Sequence, residues 1–209
     1  MSRSGNMRKS REGKKDGGLM KGLIMALLAV AVQTAMTAPA SADAGMPKGY
    51  SIEDFAMQPE TRWRFFTDQV MGGVSTGQVA FVQEGESAFA RMTGRVSTAN
   101  RGGFIQMRLE LTDPRPKGTT GVRLIVRGND QRYFVHLRTG GTVLPWQYYQ
   151  AGFDVTEDWA ELRLPFDAFD ASGALLRDVP RAGALTSVAV VAYGRDHDAR
   201  IDVRDIGFY

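Results

Sequence analysis

The feature that most limits the fold is a change of period near residue 61. Beyond it, short apolar alternations are separated by clusters of Gly, Asn, Asp and Pro, and no long amphipathic helix is written into the chain. Successive side chains of a strand point to opposite faces, so this pattern specifies antiparallel, half-buried strands. The expected strands are 63–66, 78–83, 88–96, 104–111, 121–127, 132–138, 146–153, 159–164, 186–193 and 200–208. On 121–127, Val122, Leu124 and Val126 share one face, with Arg123 and Arg127 on the other. On 132–138, Tyr133, Val135 and Leu137 oppose Phe134, His136 and Arg138. Gly128-Asn129-Asp130 lies between these two segments and is expected to close a hairpin. Residues 186–193 are almost wholly apolar, as a central strand covered on both sides would be. The last segment puts Ile201 and Val203 on one face and shifts parity at Asp205-Ile206, the mark of a bulge. About ten short strands of this kind predict an all-β, single-domain sandwich or jelly roll.

The first 42 residues are different in kind. Arg8, Lys9, Arg11, Lys14, Lys15 and Lys21 form a positive front, and Leu23 to Val32 is an unbroken apolar run of ten. Pro39 and Ala40-Ser41-Ala42 then offer a helix break and small residues for a peptidase. That order predicts a cleavable export signal, for which Met20 is an alternative start. The competing reading is an uncleaved anchor over residues 23–38, short of the roughly 20 apolar residues a spanning helix needs. Either reading puts the domain outside the cytoplasm, in the periplasm or secreted, or tethered to the inner membrane. Residues 43–60 read as a polar lead-in, in which Ser51-Ile52-Glu53-Asp54-Phe55 is expected to form a helical turn capped by Ser51. Residues 61–209 are the expected domain.

Charge follows the same division. Residues 1–42 hold seven Lys or Arg and two acids, which gives +5, while residues 43–209 hold 19 bases and 21 acids, which gives −2. The net charge of +3 over the 209 residues is therefore no argument for nucleic-acid binding. Cysteine is absent, which removes disulfides, thiolate chemistry and cysteine metal sites.

Chemistry concentrates in few places. The densest is Trp63-Arg64-Phe65-Phe66-Thr67-Asp68-Gln69-Val70-Met71-Gly72-Gly73-Val74-Ser75. Asp68 is placed to accept hydrogen bonds from the turn that follows, and Ser75 to do similar local work. This segment is either a rigid loop locked against the sandwich or a contact surface made of Asp68, Met71 and the Gly72 and Gly73 amides. Arg101-Gly102-Gly103-Phe104 is a second such element. Gly102 and Gly103 would let the two loops approach closely, and if they meet Asp68 and Arg101 can pair.

Trp146-Gln147-Tyr148-Tyr149-Gln150 is the leading ligand candidate. Its rings suit core packing, a protein surface, or sugar faces with Gln147, Gln150 and Arg138 on the hydroxyls. Arg123, Arg127, Arg132 and Arg138 are expected to form a cationic stripe across neighbouring strands. The two histidines, His136 and His197, have no nucleophile in a recognisable motif beside them. Asp196, Asp198 and Asp202 are candidate ligands for a hard cation, calcium being the best match, although a tight turn explains the same residues.

Trp63 through Ser75 resembles the signature of the complex I intermediate-associated protein 30 family: a tryptophan, then Thr-Asp, then Met-Gly-Gly-Val-Ser. The resemblance continues through Phe89 with Gly94, Arg101-Gly102-Gly103-Phe104, Gly121-Val122-Arg123-Leu124 and Arg132-Tyr133. It closes with Trp159-Ala160-Glu161-Leu162-Arg163-Leu164-Pro165-Phe166 and Ile201-Asp202-Val203-Arg204-Asp205-Ile206, and so covers most of residues 60–209. It implies a galactose-binding-like jelly roll without cofactor or established catalytic residues, and its mitochondrial members are assembly factors for respiratory complex I. The expectation for this chain is a non-enzymatic domain that assists assembly of a membrane or envelope complex through a protein partner in or near the inner membrane. The alternative expectation is a carbohydrate-binding module for a periplasmic or extracellular glycan.

Overall fold

The computed structural model describes residues 49–209; the leader and anchor readings of residues 1–42, and the start of the lead-in, lie outside the described residues. Two antiparallel sheets face each other. In chain order the strands are β1 (Tyr50–Glu53), β2 (Trp63–Thr67), β3 (Thr76–Glu84), β4 (Ser87–Val96), β5 (Phe104–Glu110) and β6 (Gly121–Gly128). They continue as β7 (Arg132–Thr139), β8 (Tyr149–Asp154), β9 (Ala160–Pro165), β10 (Asp170–Ala171), β11 (Leu185–Tyr193) and β12 (His197–Phe208). The first sheet runs β3-β4-β12-β6-β9, with β1 also on β12, and the second runs β10-β8-β7-β11-β5-β2. Among the described residues no helix is long and apolar enough to cross a membrane.

The alternation decides which side chains meet between the sheets. Val122, Leu124 and Val126 of β6 face Tyr133, Val135 and Leu137 of β7 and Val188 and Val190 of β11, all buried in one core with Met92, Ile105, Met107 and Ile201. Removing each such side chain from water contributes about 1.5–3 kcal/mol against the entropy of ordering the chain. The pairing of β12 with β6 skips a residue between Val203 and Asp205. That bulge returns Ile206 and Phe208 to the core after Asp205. β11 is the central strand, between β7 and β5.

Two local expectations are corrected. Residues 51–53 are not helical: they pair with β12, Tyr50 opposite Phe208 and Glu53 opposite Ile206, so the lead-in contributes a strand. The buried Glu53 carboxylate accepts from Arg62 Nη2 at 2.7 Å, Trp63 Nε1 at 3.0 Å and the Phe55 amide at 2.8 Å. Those three donors, with the β12 backbone, outweigh one serine cap. Likewise Gly128-Asn129-Asp130 does not close a hairpin, because β6 and β7 belong to different sheets. The turn carries the chain across the sandwich. It is pinned by the Tyr133 hydroxyl, which donates to Asn129 Oδ1 at 2.7 Å and accepts from the Arg200 amide at 2.8 Å.

Candidate binding groove

Strand alternation gives the second sheet a second face. Phe104, Gln106 and Arg108 of β5, His136 and Arg138 of β7, and Ser187 and Ala189 of β11 point away from the core and floor a groove of about 660 Å³. β11 contributes small side chains there, so a trough runs between the arginine-bearing strands on either side of it. One wall is built from Val70, Met71, Arg101 and Gly102, and the other from Pro145, Trp146, Gln147 and Tyr148.

The first wall is rigid because of Asp68, which is fully buried. Its carboxylate accepts from the Ser75 amide at 2.9 Å, the Ser75 hydroxyl at 2.5 Å, the Gly103 amide at 2.5 Å and the Phe104 amide at 3.2 Å. Burial by itself would raise its pKa, but the bonds from Ser75, Gly103 and Phe104 outweigh burial and hold the carboxyl below its ordinary value. The two glycine loops therefore meet, as expected, although Asp68 holds the second by its backbone and not by Arg101. Gly102 lies so close that a Cβ there would sit 3.0 Å from Gly73 Cα and overlap Asp68. Gly72 ends the turn at 68–71 with φ +90°, an angle that larger residues resist. Arg101 is left on the rim, exposed, with no hydrogen bond or ion pair among the described residues.

The opposite wall rests on β7. Arg138 donates from Nη2 to the carbonyls of Thr142 and Leu144, each at 3.0 Å, and so fixes the loop that presents Trp146. The Trp146 ring is 66% exposed, and Met71 across the groove is 64% exposed. Between the walls, His136 stacks on Tyr148 with centroids 4.1 Å apart and planes 7° from parallel, and its Nε2 donates to Gln150 Oε1 at 2.8 Å. Burial pushes the His136 pKa down to about 4, against the opposing effect of the Gln150 bond, so the ring is neutral near pH 7. Burial, with the neighbouring Tyr193 hydroxyl, raises the Tyr148 phenol. Among the described residues no carboxylate lines the groove beside His136.

Of the residues singled out in the sequence, Met71, Arg101, Arg138, Trp146 and Tyr148 converge on the groove, and Asp68 supports it from beneath. Tyr149 does not: alternation turns its ring into the core, where it is 2% exposed. Arg123 does not either. It lies on the outer face of the first sheet and pairs with Asp205 at 2.5 Å and Glu161 at 3.2 Å. The expected arginine stripe is thus divided between the two sheets, since β6 and β7 are not neighbours. Arg127 pairs with Asp202, and Arg132 with Asp154. Asp202 is buried and bridged by Arg91 and Arg127, Asp198 pairs with Arg95, and Asp196 accepts from Thr98. Among the described residues no group of three or more acidic or histidine side chains is placed to hold a metal. Gln106, Arg108, Ser187, Ala189 and Tyr193 line the groove without standing out in the sequence. The sequence signal for most of them was the outward parity of β5 and β11.

Comparison with known proteins agrees with this architecture. The family model described as complex I intermediate-associated protein 30 matches residues 54–192. No curated protein matches the sequence. Among solved structures, the family 11 carbohydrate-binding module of cellulosomal cellulase Lic26A-Cel5E of Clostridium thermocellum superposes with TM-score 0.62 at 11% identity, over 77% of this chain and 94% of that one. The family 11 module from Clostridium thermocellum in complex with a β-1,3-1,4-mixed-linked tetrasaccharide gives 0.61 at 11% identity over the same shares. Identity this low establishes a common β-sandwich and nothing about ligands.

Proposed function

The chain belongs to the complex I intermediate-associated protein 30 family, and on that premise we propose that it is a non-enzymatic domain that binds a protein partner and so assists assembly of a membrane or envelope complex, with a respiratory complex related to complex I as the family-based candidate. The observation that carries this reading is the groove with two rigid walls, one topped by Met71 and Val70 and the other by Trp146. Exposed Met, Trp and Arg around an apolar cleft match the composition of protein-binding surfaces. Walls fixed in advance by Asp68 and Arg138 lower the ordering cost of association. The neutral, buried His136 with no carboxylate beside it in the groove supports binding over acid–base chemistry. The leader pattern of residues 1–42 supports action outside the cytoplasm, against a partner in or near the inner membrane.

A second reading, a carbohydrate-binding module, draws on the open Trp146 ring with Gln147 and Arg138 close by in the chain and lining the same groove. Affinity capture of the tagged full chain from native membranes in mild detergent separates the two. The protein-binding reading expects one partner recovered reproducibly, and lost when Trp146→Ala and Met71→Ala are combined, with an unchanged melting temperature. Recovery of no protein, with quenching of tryptophan fluorescence by cell-wall oligosaccharides, overturns it in favour of a glycan.

A further inference from the structure

We propose that the groove takes an acidic polypeptide segment that also carries apolar side chains, its carboxylates lying over Ser187 and Ala189 between Arg108 and Arg138. This rests on the reading of the groove as a protein-binding surface and names the chemistry of the partner. The argument begins with charge. Among the described residues the groove is lined by Arg101, Arg108 and Arg138 and by no acid, in a domain whose residues 43–209 carry −2. Elsewhere arginines are largely answered within the fold: Arg91 and Arg127 by Asp202, Arg123 by Asp205, and Arg132 by Asp154. In the groove, among the described residues, Arg108 alone has an acidic partner. Arg138 spends its donors on Thr142 and Leu144 oxygens, which are neutral, and Arg101 meets no partner among the described residues. Arg108 has Glu110 at 2.9 Å, a residue outside the groove lining. Asp68 is sealed beneath the rim and spent on Ser75, Gly103 and Phe104.

Strand register adds a second observation. Arg64 of β2 stands directly opposite Arg108 of β5, so two like charges share one face of the sheet, where the Glu110 carboxylate pairs with Arg108. Ala189 of β11 is opposite Arg108 on one side and His136 on the other, while Ser187 is opposite Glu110 on one side and Arg138 on the other, so the acid stands at one end of the trough and the arginines outnumber it. Adjacent strands lie about 4.8 Å apart, so Arg108 and Arg138, on the strands either side of β11, flank a trough of small residues about 10 Å across. A carboxylate in that trough would lie between two arginine-bearing strands, and guanidinium groups favour the planar geometry of such an anion.

The rim decides what kind of anion. Val70, Met71 and Trp146 are exposed along it, and Val143 and Leu144 are exposed in the Trp146 loop. Aliphatic and thioether surface is covered by peptide side chains, whereas a phosphodiester or an acidic glycan would leave most of it in water. The chain's own residues 1–42 carry +5, the wrong sign for this site.

A phage-displayed random dodecapeptide library panned on the immobilised full chain provides the probe, and the enriched sequences are then made as fluorescein-labelled peptides. Enrichment of Asp and Glu interspersed with Leu or Phe is expected. Binding should weaken about tenfold or more in Arg101→Glu, where no hydrogen bond or ion pair among the described residues is lost, and in Arg138→Gln, but not in Arg132→Gln. It should also weaken about tenfold when salt rises from about 0.05 to about 0.5 M. Neutral or basic winners, or acidic ones indifferent to Arg101→Glu, would overturn the acidic assignment and leave protein binding standing. No enriched peptide, with oligosaccharides quenching the tryptophans, would remove the protein-binding reading as well.

Discussion

Replacing Asp68 by Asn tests the rigidity of the groove most severely, since shape is kept and charge is not. In the wild type, Oδ1 accepts from the Ser75 amide, and Oδ2 from the Ser75 hydroxyl and the Gly103 and Phe104 amides. An asparagine has one oxygen. If it keeps the Oδ2 position, the Ser75 amide faces an NH2 group; if it takes the other, two amides do. Leaving a buried donor unsatisfied costs about 1–3 kcal/mol, and the surviving bonds lose their charge assistance. The expected loss is about 2–4 kcal/mol, out of the 5–15 kcal/mol typical of a domain. That corresponds to a melting temperature lower by about 5–15 °C. The assay is urea unfolding at constant m, with hydrogen exchange reporting on 68–75 and 99–104. The pH dependence has a definite sign. Because the folded pKa lies below the ordinary 3.8, the carboxylate's contribution is complete above the unfolded value. It is lost as pH falls through the folded one, so wild type and variant should converge in acid. A loss under about 0.5 kcal/mol at neutral pH, with unchanged exchange in both loops, would refute the clasp.

Two other perturbations follow from buried charge. Asp202→Asn strips Arg91 and Arg127 of a carboxylate that burial alone would raise but that both arginines hold below its usual pKa. We expect a loss of about 2–4 kcal/mol by chemical denaturation, somewhat less than the about 3–5 kcal/mol for fully enclosed pairs because both arginines keep solvent contact. His136 takes up its proton at about 4 when folded and near 6.5 when unfolded. Between those values the unfolded state binds more protons, so stability should fall by roughly 1.4 kcal/mol per pH unit on acidification. His136→Phe should flatten that slope, and an unchanged slope would mean that the ring is not held neutral.

How far the sequence could be read depends on the range of the interaction. Face assignments on β6 and β7, the centrality of β11 and the bulge at Asp205 follow from two-residue periodicity within one segment, and they appear in the structure. Which sheet a strand joins is set by partners far along the chain. The turn at 128–130 therefore has the pattern of a hairpin although it crosses between sheets, and the arginines of β6 and β7 have the pattern of one stripe although they occupy opposite sides. Ser51 carried a cap signal that could not reveal the Glu53 carboxylate meeting Arg62 and Trp63. The groove was half legible. Trp146, Met71 and the glycine loops stand out by residue type, but the trough depends on Ser187 and Ala189, whose significance is being small between Arg108 and Arg138.

The claim that the face over β5, β11 and β7 is where the partner sits can be tested in living cells with a photo-crosslinking residue. Placed at Trp146 or Met71, it should give the same discrete protein adduct. Placed at the exposed Gln78 of β3, on the other sheet, it should give none. Adducts from position 78 with silence at 71 and 146 would contradict the account, because the partner would then bind the opposite side of the sandwich.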